Sequence, residues 1–417
     1  MKKIFILFTL LFSTNAYAFD YNWGKEDSHG FQDVKGVEID SLVESFYTDI
    51  FKSYNEFSEE LLQVDSLKTF VLAKNVPDSV YANRLDMLNS PINLPYNNIV
   101  RRYINVYTNP RGSFKIILGR AQYYMPMFEE ELYRMGLPTE LKMLPVIESA
   151  LNPSVVSPMG AAGLWQFMYA TGRYYGLRQD YFVDQRLDPR ASTKAACRFL
   201  KDLYKIYGNW TLALAAYNCG PGNVNKALRR VPGAKTYWDI YYYLPTETRG
   251  YVPAFIGATY AYTFYKAHDL NIVSVKHPVV TDTVMIVNKN MHFKQVTSTI
   301  DISEQTLRNL NPSYRENIVP AKLTKYPLVL PVSIIADFIT HQDEIMAKDS
   351  IYLKKYLGKN LSAPKDRGFI YHRVKSGEYL GMISRKYHVP TAKIRRWNHI
   401  KNDKHLKIGQ KLKIYKR

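Results

Sequence analysis

Residues 141–168, LKMLPVIESALNPSVVSPMGAAGLWQFM, decide the fold of this chain. Leu141, Leu144, Ile147 and Leu151 recur at three- and four-residue steps, the spacing of one buried helix face. Glu148 follows Leu144 by four residues and lies beside that face, so its carboxylate belongs at the edge of the core. Asn152-Pro153 then ends the helix. A carboxyl group half-buried at such an edge loses hydration, which disfavours its charged form and raises its pKa. That is the state a general acid needs near neutral pH. On spacing alone a glutamate near a helix C-terminus is more often a solvated surface residue, so the neighbouring segments must decide.

Three of them do. Gly160-Ala-Ala-Gly163-Leu-Trp-Gln166 is too apolar for an ordinary loop, and its glycines suit a close backbone approach to a neighbour or ligand. The apolar helix Ala213-Leu-Ala-Ala-Tyr217-Asn218-Cys219 breaks at Gly220-Pro-Gly222. Glu247-Thr-Arg-Gly-Tyr251-Val-Pro253 sets another tyrosine before an apolar helix. In that order, ES-x-x-NP at 148–153, S-x-x-GAAGLWQ at 157–166, AYNCGPG at 216–222 and ETRGYVP at 247–253 resemble the lytic murein transglycosylases of the lysozyme-like superfamily. The resemblance runs over about residues 96–265; each motif alone would be weak, and the four in order make it specific.

The resemblance implies a mainly α-helical, lysozyme-like catalytic domain. It implies that protonated Glu148 donates to the glycosidic oxygen between MurNAc and GlcNAc, and that the substrate's own N-acetyl group meets the oxocarbenium charge. Glu148, then a carboxylate, takes the proton of the MurNAc 6-hydroxyl and a 1,6-anhydro ring closes without water. Ordinary glycosidases use two carboxyl groups; Asp180, Asp184 and Asp188 follow downstream, and the spacing selects none of them. By the same resemblance, Ser157 and Gln166 bind the sugar or orient Glu148. Met168 lines the cleft or packs in the core, Tyr217 and Asn218 lie opposite Glu148, and Tyr251 closes the same wall.

The 417 residues correspond to about two to four domains. MKKIFILFTLLFSTNAYA has two lysines, an apolar run and Ala16-Tyr17-Ala18, the pattern of a signal peptide at 1–18. The expected location is therefore the periplasm or cell envelope, with no membrane-spanning segment in the mature chain. Residues 19–95 read as an N-terminal helical region, with helix-like spacing around Leu42–Leu67, and 96–275 as the catalytic domain. Cys197 and Cys219 are the only cysteines, and in an exported chain they either pair between two helices or stay as buried thiols.

Past Leu270 short β-branched runs take over, and an internal repeat emerges. Phe293, Val296, Ile300, Ile302, Leu307, Leu310 and Asn311 match Leu380, Ile383, Tyr387, Val389, Ile394, Trp397 and Asn398 at a constant offset of 87. Each unit reads strand, helix, helix, strand, so the fold class is α+β multidomain: a helical domain followed by small βααβ modules. The second unit, 366–417, resembles LysM, which binds N-acetylglucosamine-containing glycans. Its matching residues are Tyr371-His-Arg-Val374, Leu380, Ile383, Trp397-Asn398 and Leu406-Lys-Ile-Gly409-Gln410, although Gly377-Glu378-Tyr379 is an atypical first turn. The first unit, 276–335, lacks that glycine turn and reads as a diverged copy kept for packing, with glycan binding as the other reading. Residues 336–365 read as a helix and then a charged, mobile linker.

Residues 365–417 hold 16 Lys and Arg against 3 Asp and Glu, which is +13 of the formal +19. Such a patch could meet nucleic acid or an acidic wall polymer. Export selects the wall, so the expected partner is peptidoglycan glycan and not nucleic acid. The two cysteines stand 22 residues apart with no histidine cluster, so the sequence calls for no metal, and nothing in it calls for an organic cofactor.

Overall fold

The computed structural model describes residues 76–357 and 369–415, apart from 110–112, 158, 276–279, 376–377, 388, 399, 401–405 and 407–408. The leader at 1–18 and the helical spacing at 42–67 lie outside the described residues. From 76 to 270 the chain is helical, with one apolar core. That core begins earlier than residue 96. Tyr81, Leu85, Ile92 and Leu94 are buried in it, so the segment from the helix Asp78–Asp86 onward belongs to the catalytic domain.

Local chemistry sets the helix ends. Asn97, Asp188 and Asn209 each accept a backbone N–H two or three residues into the helix that follows, satisfying donors a helix start leaves open. Thr246–Phe264 runs through the core beside Asn98–Tyr107. The two approach closely because Gly250 and Gly257 face Tyr103; a Cβ would stand 2.4 Å from the Tyr103 hydroxyl at 250 and 2.9 Å from its Cβ at 257. Pro253 sits inside the same helix and has no N–H to offer the Arg249 carbonyl. Tyr237 Oη donates to that carbonyl at 2.6 Å instead. The helix therefore continues past the proline, and Tyr237 is fixed in the core.

The stretch around Glu148 is not one continuous helix. A 3₁₀ turn, Thr139–Met143, leads into the short α-helix Leu144–Ser149. Pro145 explains the change of pitch: it lacks the N–H that would bond to the Leu141 carbonyl and suits the first turn of a new helix. Leu141, Leu144, Ile147 and Leu151 are all buried, as their spacing predicts. Ala150 and Leu151 then turn into left-handed backbone, φ 49° and 59°, and end the helix.

The two repeats fold alike. Thr281–Ile286 pairs antiparallel with Tyr326–Pro331, around helices Phe293–Thr297 and Glu304–Leu310. Phe369–Arg373 pairs antiparallel with Lys411–Tyr415, around helices Leu380–Tyr387 and Thr391–Asn398. The 87-residue offset carries over to the asparagine and its helix partner, while the last strand is three residues nearer in the second copy. Asn311 Nδ2 donates to the Leu307 and Val329 carbonyls, and its Oδ1 accepts from Val329 N. Asn398 does the same with Ile394 and Lys413. In each copy one amide ties the second helix to the last strand. The atypical turn of the second copy has its own solution: Glu378 accepts from Lys375 N at 2.8 Å and bonds His372 Nε2 at 2.7 Å.

The boundary expected at 335 moves. Helices Val332–Thr340, Gln342–Ala347, Asp349–Tyr352 and Lys354–Leu357, with Leu353 between the last two, bury Phe338, Ile345, Leu353 and Tyr356 in the core of the first module. Four apolar side chains spaced along a charged segment hold it down, so it is not a linker up to that point. Residues 358–368 lie outside the described ones. Both cysteines are free thiols, Cys197 buried and Cys219 half-buried, so of the two readings the unpaired one holds. Among the described residues, no helix is long and apolar enough to cross a membrane.

Candidate active site

Three elements meet at Glu148. The short helix Leu144–Ser149 delivers its carboxylate, the end of Trp210–Cys219 delivers Tyr217 and Asn218, and the first turns of Thr246–Phe264 deliver Thr248 and Tyr251. Tyr251 is buried, and its hydroxyl donates to Glu148 Oε1 at 2.6 Å. Burial pushes the Glu148 carboxyl up to about 7, the Tyr251 hydrogen bond works against that rise, and nearby Glu247 adds to it. Desolvation wins, and the acid is held half-protonated near neutrality. The phenols of Tyr217 and Tyr251 are pushed well above the ordinary tyrosine range, first by burial and then by the Glu148 charge. They serve as neutral donors.

The loop after Glu148 forms the second wall. Val156 bridges to Ala162 and Ala162 to Phe167, which folds 156–167 into a tight double turn. Gly160 and Gly163 adopt φ +86° and +80° there. At Gly163 a side chain has no room: a Cβ would stand 1.9 Å from the Arg186 carbonyl oxygen. The loop's carbonyls point toward the acid's neighbours. The Leu164 carbonyl accepts from Ser149 Oγ at 2.9 Å, and the Trp165 carbonyl accepts from Tyr217 Oη at 2.8 Å.

The residues expected at the site divide into two groups. Glu148 and Tyr251 are in direct contact, and Tyr217 lies near enough to feel the Glu148 charge while its hydroxyl donates to the Trp165 carbonyl. Asn218 Oδ1 accepts from Thr248 Oγ1 at 2.8 Å, which locks two walls of the site together. Ser157 and Gln166 serve the loop itself. Ser157 Oγ accepts from Ala161 N at 3.0 Å, and Gln166 Nε2 donates to the Gly163 carbonyl at 2.9 Å from left-handed backbone at φ 44°. Met168 stands 45% exposed at the loop's end, together with exposed Val156, Met159 and Tyr169. That exposure removes the core reading for Met168 and leaves an apolar rim.

None of the three aspartates weighed as a second carboxylate is available to Glu148. Asp180 bonds the N–H groups of Phe182 and Val183 and pairs with Arg178, and Asp188 caps the helix Pro189–Tyr207. Asp184 is buried and pairs with Arg186 and Arg315. Burial alone would raise its carboxyl, but the two guanidinium groups outweigh burial and hold it below the usual range.

The family model "Transglycosylase SLT domain" matches residues 125–240, which include Glu148, the loop, Tyr217 and Asn218. The chain carries a transglycosylase SLT domain. The model "Lytic transglycosylase MltD, LysM-like domain" matches 280–347, and "LysM domain" matches 372–414, the two repeats found at the 87-residue offset. Membrane-bound lytic murein transglycosylase D of Escherichia coli is 28% identical over 328 residues, covering 77% of this chain and 70% of that protein. Soluble lytic murein transglycosylase of Escherichia coli is 24% identical, covering 57% of this chain and 33% of that protein. Its namesake in Salmonella typhimurium is 35% identical, covering 29% and 19%. The SLT match stops before Tyr251, which joins the site through its hydrogen bond to the acid.

Sequence reasoning missed three contributors to the SLT site: Ser149, Thr248 and Arg186. Ser149 and Thr248 stood inside quoted motifs and could have been found as hydroxyls adjoining the named residues. Arg186 carried no sequence signal for the site, because what ties it there are the backbone carbonyls of Gly160 and Phe167, 26 and 19 residues away.

The Tyr251 hydroxyl favours the ionised form of Glu148, so Tyr251→Phe moves the carboxyl further up. A hydrogen bond to a charged group is worth about 1.5–3 kcal/mol, or roughly one pH unit or more. Activity that needs protonated Glu148 falls as pH rises past about 7, and in Tyr251→Phe that limb shifts to higher pH. A pH–rate profile of both proteins checks this; an unmoved limb contradicts it.

Proposed function

We propose that this chain is an exported lytic transglycosylase that cuts the MurNAc-β-1,4-GlcNAc bond of peptidoglycan, with Glu148 as its single general acid/base and 1,6-anhydro-MurNAc as the new end. The observation that carries the reading is one carboxyl poised at about 7 and hydrogen-bonded to Tyr251, while Asp180, Asp184 and Asp188 are engaged elsewhere. Protonated Glu148 gives its proton to the leaving oxygen. The ionised carboxylate that results is the form Tyr251 stabilises, which lets it wait for the 6-hydroxyl proton. The substrate's N-acetyl group meets the positive charge, so no second protein carboxylate is required. Ser157, Gln166 and the exposed Met168 form the sugar-facing wall, and Tyr217 and Asn218 form the opposite one. Export rests on the leader pattern at 1–18. Chemical reduction of the products tests the reading. New MurNAc ends that resist borohydride support it; a reducing MurNAc end formed at every cut moves the chain to the hydrolases.

The C-terminal module is proposed as the glycan anchor. Its βααβ fold, its LysM match and its +12 charge over 366–417 suit N-acetylglucosamine glycan with carboxylate-bearing peptide stems. Removing residues 366–417 is expected to weaken retention on insoluble peptidoglycan while sparing cleavage of small soluble fragments. A sedimentation assay beside a fragment assay checks this, and unchanged retention contradicts it.

A further inference from the structure

The segment 178–188 belongs to two bodies at once. Phe182 and Val183 are buried in the core of the first LysM-type module, although they precede it by about a hundred residues. Backbone bonds fix them there: Asp184 N donates to the Ser313 carbonyl at 2.9 Å, and Arg315 N donates to the Phe182 carbonyl at 2.7 Å. Val183 and Tyr314 form a bridge. On its other side the same segment holds the loop of the active site. Arg186 Nη1 donates to the Gly160 carbonyl at 2.6 Å and to the Phe167 carbonyl at 3.0 Å, the two ends of the glycine loop. The Arg186 carbonyl fills the space in front of Gly163.

One buried carboxylate joins these two sides. Asp184 bonds Arg186 Nε at 3.0 Å and Nη2 at 2.8 Å, and it bonds Arg315 Nη2 at 2.7 Å. Arg315 also donates from Nη1 to the Asp180 carbonyl at 3.2 Å. The chain of contacts runs from Arg315 through Asp184 and Arg186 to the loop carbonyls. From there the Leu164 and Trp165 carbonyls hold Ser149 and Tyr217 beside Glu148.

We infer that the first LysM-type module is a built-in brace for the active site, and that Arg315 is a positioning residue which sets the 157–168 loop through Asp184 and Arg186. This rests on the transglycosylase reading for its kinetic consequence, but not for its structural one. A glycan-binding module on a flexible tether would share no core residues with the catalytic domain and would send no arginine to a carboxylate buried beneath the cleft wall. Removing Arg315, whose own side chain is half-exposed, leaves the buried Asp184 carboxylate with one guanidinium partner, Arg186, where it had two, so the loop that Arg186 holds should feel the loss. A small misplacement of groups around the reacting centre can cost as much as about a hundredfold in rate.

The test compares the full chain with Arg315→Ala, Arg315→Lys and Arg308→Ala. Arg308 lies on the same module, where it pairs with Glu304 at the surface. On soluble glycan fragments, Arg315→Ala is expected to lower kcat about tenfold with KM changed less than about threefold. Arg315→Lys should recover most of the rate, and Arg308→Ala should match the parent. Hydrogen exchange gives a readout independent of activity: amides of 157–168 lose protection in Arg315→Ala, while those of Asn98–Tyr107 do not. Parental protection of the loop in Arg315→Ala overturns the inference, as does a rate loss that Arg315→Lys fails to rescue. A parent chain that releases no fragments defeats the transglycosylase reading instead, and the exchange result still decides the brace.

Discussion

Glu148→Gln is expected to abolish cleavage of peptidoglycan while leaving binding intact. A positioned acid–base group contributes about 10²–10⁴-fold, and here one residue fills both roles, so the loss should reach the upper part of that range or exceed it. The same substitution carries a stability signature. Folded Glu148 keeps its proton up to about 7, whereas in the unfolded chain it ionises near 4.5. Between those values the native state binds more protons, so the parent loses stability as pH rises, and the loss is complete above about 7. Glutamine has no proton to hold, so the variant should be the more stable protein at pH 8, by up to about 3 kcal/mol, and nearly equal to the parent at pH 4. Denaturant unfolding at both pH values checks this beside the activity assay. A variant that cleaves within about tenfold of the parent removes Glu148 from the acid role.

Gly163→Ala should be the most damaging change outside the acid itself. Left-handed backbone at φ +80° costs an L-residue about 1–2 kcal/mol. The new Cβ would also stand 1.9 Å from the Arg186 carbonyl oxygen and 2.8 Å from its carbon, and both are backbone atoms that cannot swing aside. Overpacking of that kind adds about 1–3 kcal/mol or more. We expect a loss of about 3 kcal/mol or more in stability and at least a tenfold loss of activity, since the displaced loop holds Ser149 and Tyr217. Gly160→Ala supplies the contrast. Its φ is +86°, yet its Cβ would meet no atom within 4 Å, so only the backbone strain of about 1–2 kcal/mol remains. Equal effects at the two glycines would show that the close contact at Arg186 is unimportant.

The sequence made the acid legible because its information is local. The spacing of Leu141, Leu144, Ile147 and Leu151 puts Glu148 at a core edge, and Asn152-Pro153 stops the helix there. It did not show that Pro145 splits the stretch into a 3₁₀ turn and a new helix, because the apolar spacing tolerates either pitch. The repeat was legible for the same local reason, down to the paired Asn311 and Asn398, whose shared hydrogen bonds account for their shared position. What escaped depends on tertiary contacts. Arg186 and Asp184 act on backbone carbonyls and on an arginine more than a hundred residues away, and no periodicity encodes that. The cores do not follow the expected limits at 95 and 335 because nothing local to Tyr81, Leu85, Phe338 or Tyr356 says which core receives them, and only the fold shows it. Ser157 and Gln166 were expected to serve the sugar or the acid; their hydrogen bonds also build the loop that carries them.

The central claim is that the glycosidic bond breaks without water, through one carboxyl group. Digesting purified peptidoglycan in water enriched in heavy oxygen, followed by mass spectrometry of the fragments, tests it most directly. We expect Glu148-dependent fragments lighter than hydrolytic ones by one water, with no heavy oxygen at the new MurNAc end. Heavy oxygen at that end would contradict the account, because a water would have attacked. Exposed Glu247, whose charge reaches Glu148, would then be the carboxylate to test as its activating base.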